Sequence, residues 1–182
     1  MSERPELTQD EFDFVRRHAP LVSIDLIIQD KRGRVLVGLR NNTPAKETWF
    51  VPGGRIRKDE ALPAAFKRIV HSEMENPEGS GTLPEGFANL KYEDAKFYVC
   101  TDHHYGPADG LPFSVHYVVL SYCMTVDSCD EVLKKLPIGQ HSRWLWADVK
   151  EIVEKGEIDA RAIHENTRAY FRDPLRCMGN RH

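Results

Sequence analysis

A mixed α/β domain follows from three observations along this chain. Apolar, β-branched stretches recur on both sides of a central segment, that segment changes from period two to helical period after Gly53-Gly54, and helical patterning returns near the end. Residues 21–28 and 35–40 read as strands joined by the turn Asp30-Lys31-Arg32-Gly33, a hairpin. Residues 49–51 make a short strand that ends in Pro52, Gly53 and Gly54. The central helix follows, with Pro63 in its first turn, where a missing N–H costs little. Segment 76–86 is turn-rich with an acidic bias and reads as a mobile loop. Strands at 96–102 and 113–126 flank a polar, Gly- and Pro-containing connection at 103–112, of a length and composition that suggest function. An acidic helix near 127–135, a loop at 136–141, a strand at 143–146 and helices at 148–155 and 162–172 complete the order.

A chain of 182 residues is expected to form one domain, here with an N-terminal extension over residues 1–19. Its 25 Lys and Arg against 28 Asp and Glu leave a formal charge of −3, which argues against a general nucleic-acid binder. No apolar leader or membrane-length run stands out, so the expectation is a cytoplasmic protein that does not engage membranes. Cys100, Cys123, Cys129 and Cys177 lack Cys-x-x-Cys pairing and zinc-site spacing and read as free, structural thiols.

The chemistry concentrates around Gly53, Gly54 and Arg55. On a helical wheel with Leu62 at zero, Phe66 falls at about 40°, Ile69 at about 340° and Glu73 at about 20°. Glu73 therefore shares the buried stripe, where an ionised carboxylate needs a cation or hydrogen-bond donors. A hard divalent ion is the natural partner; a helix end at Met74 that already exposes Glu73 is the plain alternative. The two glycines let the backbone turn and approach a ligand. Arg55, and Arg40 at the end of the hairpin, present guanidinium forks suited to phosphate oxygens, although either alone could be a solvated surface residue. His141, beside Gln140, has a pKa range fit for general-base work, but residue type alone does not separate it from His103, His104 and His116.

The stretch from Gly54 resembles the Nudix box, whose pattern G-x5-E-x7-R-E-U-x-E-E-x-G-U is met by Gly54, Glu60, Arg68 and Glu73. Ile69 and Ser72 stand where two glutamates belong, and Glu75-Asn76 replace the closing glycine and aliphatic residue. Over about residues 7–172 the chain further resembles the GDP-mannose mannosyl hydrolase branch of that superfamily. The shared motifs run through Pro20 to Asp25, Gly38-Leu39-Arg40, Asn42 to Ala45, Trp49 to Arg55, Lys58-Asp59-Glu60, His116 to Leu120, Gln140-His141 and Asn166 to Phe171.

The resemblance implies a Nudix fold, an α/β/α sandwich with the box helix and C-terminal helices. It implies Mg2+-dependent hydrolysis of a GDP-sugar, GDP-mannose or GDP-glucose, to GDP and free hexose by water attacking the anomeric carbon with inversion. One Mg2+, with Mn2+ as the alternative, would be held by Glu73, Gln140 and the backbone carbonyl of Gly53 or Gly54. His141 would be the general base, and Arg40, Arg55 and Tyr117 would stabilise the departing diphosphate. Asp25 and His103 match positions near the sugar, Glu60 a structural one, and a homodimer is implied. The chain departs from the branch at Glu75-Asn76-Pro77, at His104 and Gly106, and at Ile138-Gly139, in loops on which base and sugar selectivity depend. Two alternatives stand beside this reading: an ordinary Nudix pyrophosphohydrolase giving a nucleoside monophosphate and a sugar phosphate, and a non-catalytic nucleotide-sugar sensor.

Overall fold

The computed structural model describes residues 7–75, 82–127 and 130–172. Strand β1 (Leu21–Asp30) organises the rest. Its Ile24, Leu26 and Ile28 enter one core and its Leu21 and Ile27 the other, so both faces are buried. β6 (Val115–Val126) runs parallel to β1, from Leu21↔Tyr117 to Asp30↔Val126, and β5 (Lys96–Tyr105) pairs antiparallel with β6. On the other side lie β2 (Val35–Arg40), β3 (Trp49–Phe50) and β7 (His141–Ala147), the last two antiparallel to β2. The remaining edge of β1 is shared: β4 (Gly53–Arg55) takes Ser23, Ile24 and Asp25, whereas β2 meets it at Gln29↔Val35. This fork opens beside residues 23–25 of β1, next to the Gly-Gly pair.

Helix α2 (Leu62–Met74) covers one face. Its Ala61 N-cap makes no side-chain cap bond, so Pro63 and the buried stripe Phe66, Ile69, Val70 and Met74 hold it. Each large side chain so buried contributes about 1.5–3 kcal/mol. Ahead of it, Arg68 clamps the box loop: Nε and Nη2 each lie 2.7 Å from a Glu60 oxygen, Nη2 also reaches Arg55 O at 2.8 Å, and Glu60 accepts from Arg57 N. Glu60, its pKa lowered chiefly by that Arg68 bond, thus serves the loop and not the pocket. Helices α3 (Val149–Glu154) and α4 (Glu165–Ala169) lie over the opposite core through Ile152, Thr167 and the Tyr170 that caps α4. The architecture is the α/β/α sandwich expected.

Several boundaries differ from the sequence reading. Residues 9–18, taken as an extension, form helix α1 (Gln9–His18), closed by a capping box in which Thr8 and Glu11 bond reciprocally. The Thr8-x-x-Glu11 spacing, followed by Phe12 and Val15, carried that signal. The acidic segment is a 3-10 helix, Asp130–Lys135, and Arg161–Ala162 pairs with Glu157–Ile158 as a hairpin, so the last helix begins only at Glu165. His141 opens a strand instead of lying in a loop, because its neighbours satisfy the antiparallel ladder with β2. Cys100 is a free thiol and Cys123 donates its Sγ–H to Gln29 Oε1 at 3.5 Å; Cys129, Cys177 and most of the turn-rich 76–86 loop fall outside the described residues. No helix among the described residues is long and apolar enough to cross a membrane.

Candidate functional site

α2 delivers Glu73 to the end of β7, and there the buried carboxylate finds its partners. It is 3% exposed although the helix stops one residue later, as the stripe, and not the helix end, required. Gln140 Nε2 donates to Oε1 at 3.0 Å, and His141 Nε2 faces Oε2 at 3.2 Å. With a carboxylate opposite, Nε2 is the protonated ring nitrogen and Nδ1 keeps the lone pair. Among the described residues Nδ1 has no hydrogen-bond partner, and the ring, 2% exposed, packs on Trp144 at 4.3 Å between centroids.

Gly38 makes room for that ring: a Cβ at position 38 would fall on His141 Nδ1 and Cγ. Gly38→Ala is therefore expected to displace His141 and to lower turnover about a hundredfold, with far-ultraviolet circular dichroism unchanged; kinetics of the refolded variant check it.

Across the fork, Gly53 and Gly54 face opposite layers. A Cβ on Gly53 would lie 2.6 Å from Asp25 Oδ1, and one on Gly54 would lie 3.1 Å from Ile69. Ile69, fully buried beneath Gly54, fills with hydrocarbon the place of a box glutamate; Ser72 turns its hydroxyl to Ile69 O at 3.0 Å. The broken half of the box is thus part of the core and of the helix surface.

Among the described residues no group of three or more His, Cys, Asp or Glu side chains converges as a metal cage. The available donor set is smaller: the Glu73 carboxylate, the Gln140 amide and the backbone carbonyls at Gly53 and Gly54. It is oxygen-only once the amide is turned, which suits a hard cation. The 3.0 Å between the Gln140 amide and Glu73 Oε1 is close to the separation of adjacent oxygens around an octahedral Mg2+ with bonds of about 2.1 Å. The residues therefore fit one such ion.

On the other face of β1 a second buried group assembles. Tyr170 donates its hydroxyl to Asp25 Oδ2 at 2.8 Å and lies 3.2 Å from His103 Nε2, which then donates back to it. Burial above all pushes Asp25 up to about 7, with Glu73 adding to the rise and Tyr170 and Arg40 opposing it. Burial likewise pushes His103 down to about 4, so its imidazole is neutral. Tyr170 lay within a motif of the sequence but carried no signal of this role, since it meets Asp25 from 145 residues away.

The anion-binding candidates gather at the same end of the sheet. Tyr117 pairs with Leu21 and His103, and Arg55 with Ser23. Arg40 follows the register shift after Leu39, which turns it over Phe50, its guanidinium carbon 5.6 Å from the ring, with Nε on Pro44 O. Burial raises the pKa of Tyr117, opposed by the charges of Arg55, Arg16 and Arg40. Every predicted site residue is thus found around the fork, in two groups: Glu73, Gln140 and His141 beside α2, and Asp25, His103, Tyr117, Arg40 and Arg55 on the opposite face, with Gly53 and Gly54 between them. His104 and His116 stand apart, stacked on each other at 4.4 Å near exposed Asp102.

A sheet forked around a Gly-Gly strand, with a carboxylate-bearing helix laid against it, is the frame of the candidate site. The NUDIX domain pattern matches residues 19–167, and the chain belongs to the NUDIX family. By class it is a Nudix hydrolase. The fold is similar to a MutT protein from Methanosarcina mazei Go1 (TM-score 0.59, 16% identity, 91% of this chain and 99% of that one). It is also similar to a MutT NUDIX hydrolase from Burkholderia pseudomallei (TM-score 0.57, 20% identity, 85% and 97%). In sequence, 68 residues are 43% identical to the low-salt glycan biosynthesis protein Agl8 of Haloferax volcanii, covering 37% of this chain and 43% of that relative.

Proposed function

We propose that this Nudix hydrolase cleaves GDP-sugars of the GDP-mannose type to GDP and free hexose, by attack of water at the anomeric carbon with inversion. The observation that carries this reading is the pairing of Glu73 with Gln140 and His141, where the box helix has Ile69 and Ser72 in place of its two other glutamates. A single carboxylate suits neutralising a departing diphosphate better than assembling several ions to activate water at phosphorus. When bound, Mg2+ held by Glu73, Gln140 and a carbonyl of Gly53 or Gly54 supplies Lewis-acid charge to the leaving diphosphate.

Arg40, Arg55 and Tyr117 add fixed donors for the same negative charge. Asp25, held by Tyr170, with His103 behind it, faces the sugar side, where positive charge develops. His141 accepts the proton of the attacking water at Nε2 once Glu73 turns to the metal and the ring proton has moved from Nε2 to Nδ1. The partial match to a protein named for glycan biosynthesis agrees with a sugar-nucleotide substrate.

Hydrolysis in heavy-oxygen water tests the reading. Label is expected in the hexose; label found only in phosphate would replace it with pyrophosphohydrolysis. No turnover of any GDP-hexose would favour a sensor.

A further inference from the structure

Helix α1 ends at His18 and runs through Ala19-Pro20 into β1, at the level where Leu21 pairs with Tyr117 and Ser23 with Arg55. It brings a cation that the box does not contain. The guanidinium carbon of Arg55 lies 4.2 Å from the Phe12 ring centroid, and that of Arg16 lies 4.8 Å from the same centroid and 5.0 Å from Phe113. Arg17 closes over Phe113 at 3.9 Å, tying the helix to the segment that precedes β6.

The Arg16 side chain is only 14% exposed; among the described residues its Nε, buried, has no hydrogen-bond partner, and the guanidinium is ion-paired with Asp13, a turn earlier on the same helix. Arg40 and Arg55 have no carboxylate partner among the described residues. Three guanidinium groups are therefore close enough to act together on Tyr117, with Asp13 bonded to Arg16 and the buried Asp25 near Arg40 as the carboxylates beside them. Like charges held together under a helix, partly desolvated and with an unused donor, are arranged for an anion that bridges them. Cation–π contact alone would explain one arginine over Phe12, but not two from different elements converging on it.

We propose that α1 is a wall of the anion pocket and that Arg16 is a further binding residue for the substrate diphosphate, sharing it with Arg55 across the Phe12 ring. This rests on the diphosphate reading of the site given above. Because Arg16 sits on a helix that joins the sheet through two residues only, the substrate also fastens α1 down. Arg16 then contributes to holding the ground state and the leaving group alike, so its loss shows mainly in KM.

Titration calorimetry of the full chain with Mg2+-pyrophosphate, and with GDP, tests this for the wild type, Arg16→Met and Arg16→Lys. Methionine keeps packing against Phe12 and Phe113 without the charge; lysine keeps the charge without the fork. Arg16→Met is expected to weaken pyrophosphate and GDP binding about tenfold or more and to raise KM with little change in kcat, and Arg16→Lys to recover part of the loss.

Unchanged affinity in Arg16→Met beside a lowered melting temperature would overturn the proposal and leave Arg16 as a helix anchor. If Arg16→Met loses the fold, Arg16→Lys decides: weaker binding at an unchanged melting temperature supports the role, equal binding overturns it. A wild type that binds neither pyrophosphate nor GDP would overturn the diphosphate reading itself, a different result from wild-type binding that the variants retain.

Discussion

Glu73→Gln is expected to lower kcat/KM by about a thousandfold, ~4 kcal/mol of transition-state stabilisation. Glu73 is the one carboxylate among the proposed ligands, so the amide leaves an oxygen set without a formal charge to hold a divalent ion. The same variant is expected to lose the rise in melting temperature that Mg2+ gives the wild type, about 2.7 kcal/mol at a hundred times the dissociation constant. Without metal it should be no less stable, because a neutral amide at a 3% exposed position removes a desolvated charge while remaining within reach of Gln140 and His141. Thermal melts with and without Mg2+, beside steady-state kinetics, separate the two effects. A variant that kept the Mg2+ shift would remove Glu73 from the metal site.

Asp25→Asn is expected to give a more stable and much less active protein. The folded-state pKa of Asp25 is raised from 3.8 to about 7, principally by burial. Folding therefore favours its protonated form. That contribution is fully present below the unfolded value of 3.8 and declines as pH rises, until it is gone above about 7. Between those limits the unfolded chain has released a proton that the folded chain retains, and wild-type stability falls with pH.

Asparagine cannot ionise, can still accept from Tyr170, and removes that slope. Its advantage over the wild type should be small near pH 4 and reach roughly 4 kcal/mol above pH 7, roughly 10 °C in melting temperature for a chain of this size. Metal-free melts across that range check it, since a bound cation would itself favour the carboxylate. Activity should fall because the ionised group near the reacting sugar is lost, a trade of function for stability that buried charges at sites commonly embody.

Much of the frame was legible before any coordinates. β1 announces a strand by its apolar, β-branched stretch, and Gly53-Gly54 before a helical period announces the box. Glu73 declares itself by sharing the angle of Phe66 and Ile69, and the structure buries it there. α1 was missed, because weak hydropathy and a charged first turn hid the signal of its capping box. The short C-terminal hairpin was missed too, because Arg161–Ala162 is too brief for a period to register.

The sequence by itself determined which residues share a face within each element, and hence the sandwich, the box and the buried carboxylate on it. Only the tertiary structure decided what meets across elements. Gln140 and His141 reach Glu73 over 67 and 68 residues, Tyr170 reaches Asp25 over 145, and Arg16 on α1 comes to lie over the same ring as Arg55 on β4. The reason is physical: local periodicity encodes the direction of a side chain relative to its own helix or strand, whereas its partner is set by strand register, the divided edge of β1 and the space that Gly38 and Gly53 leave open.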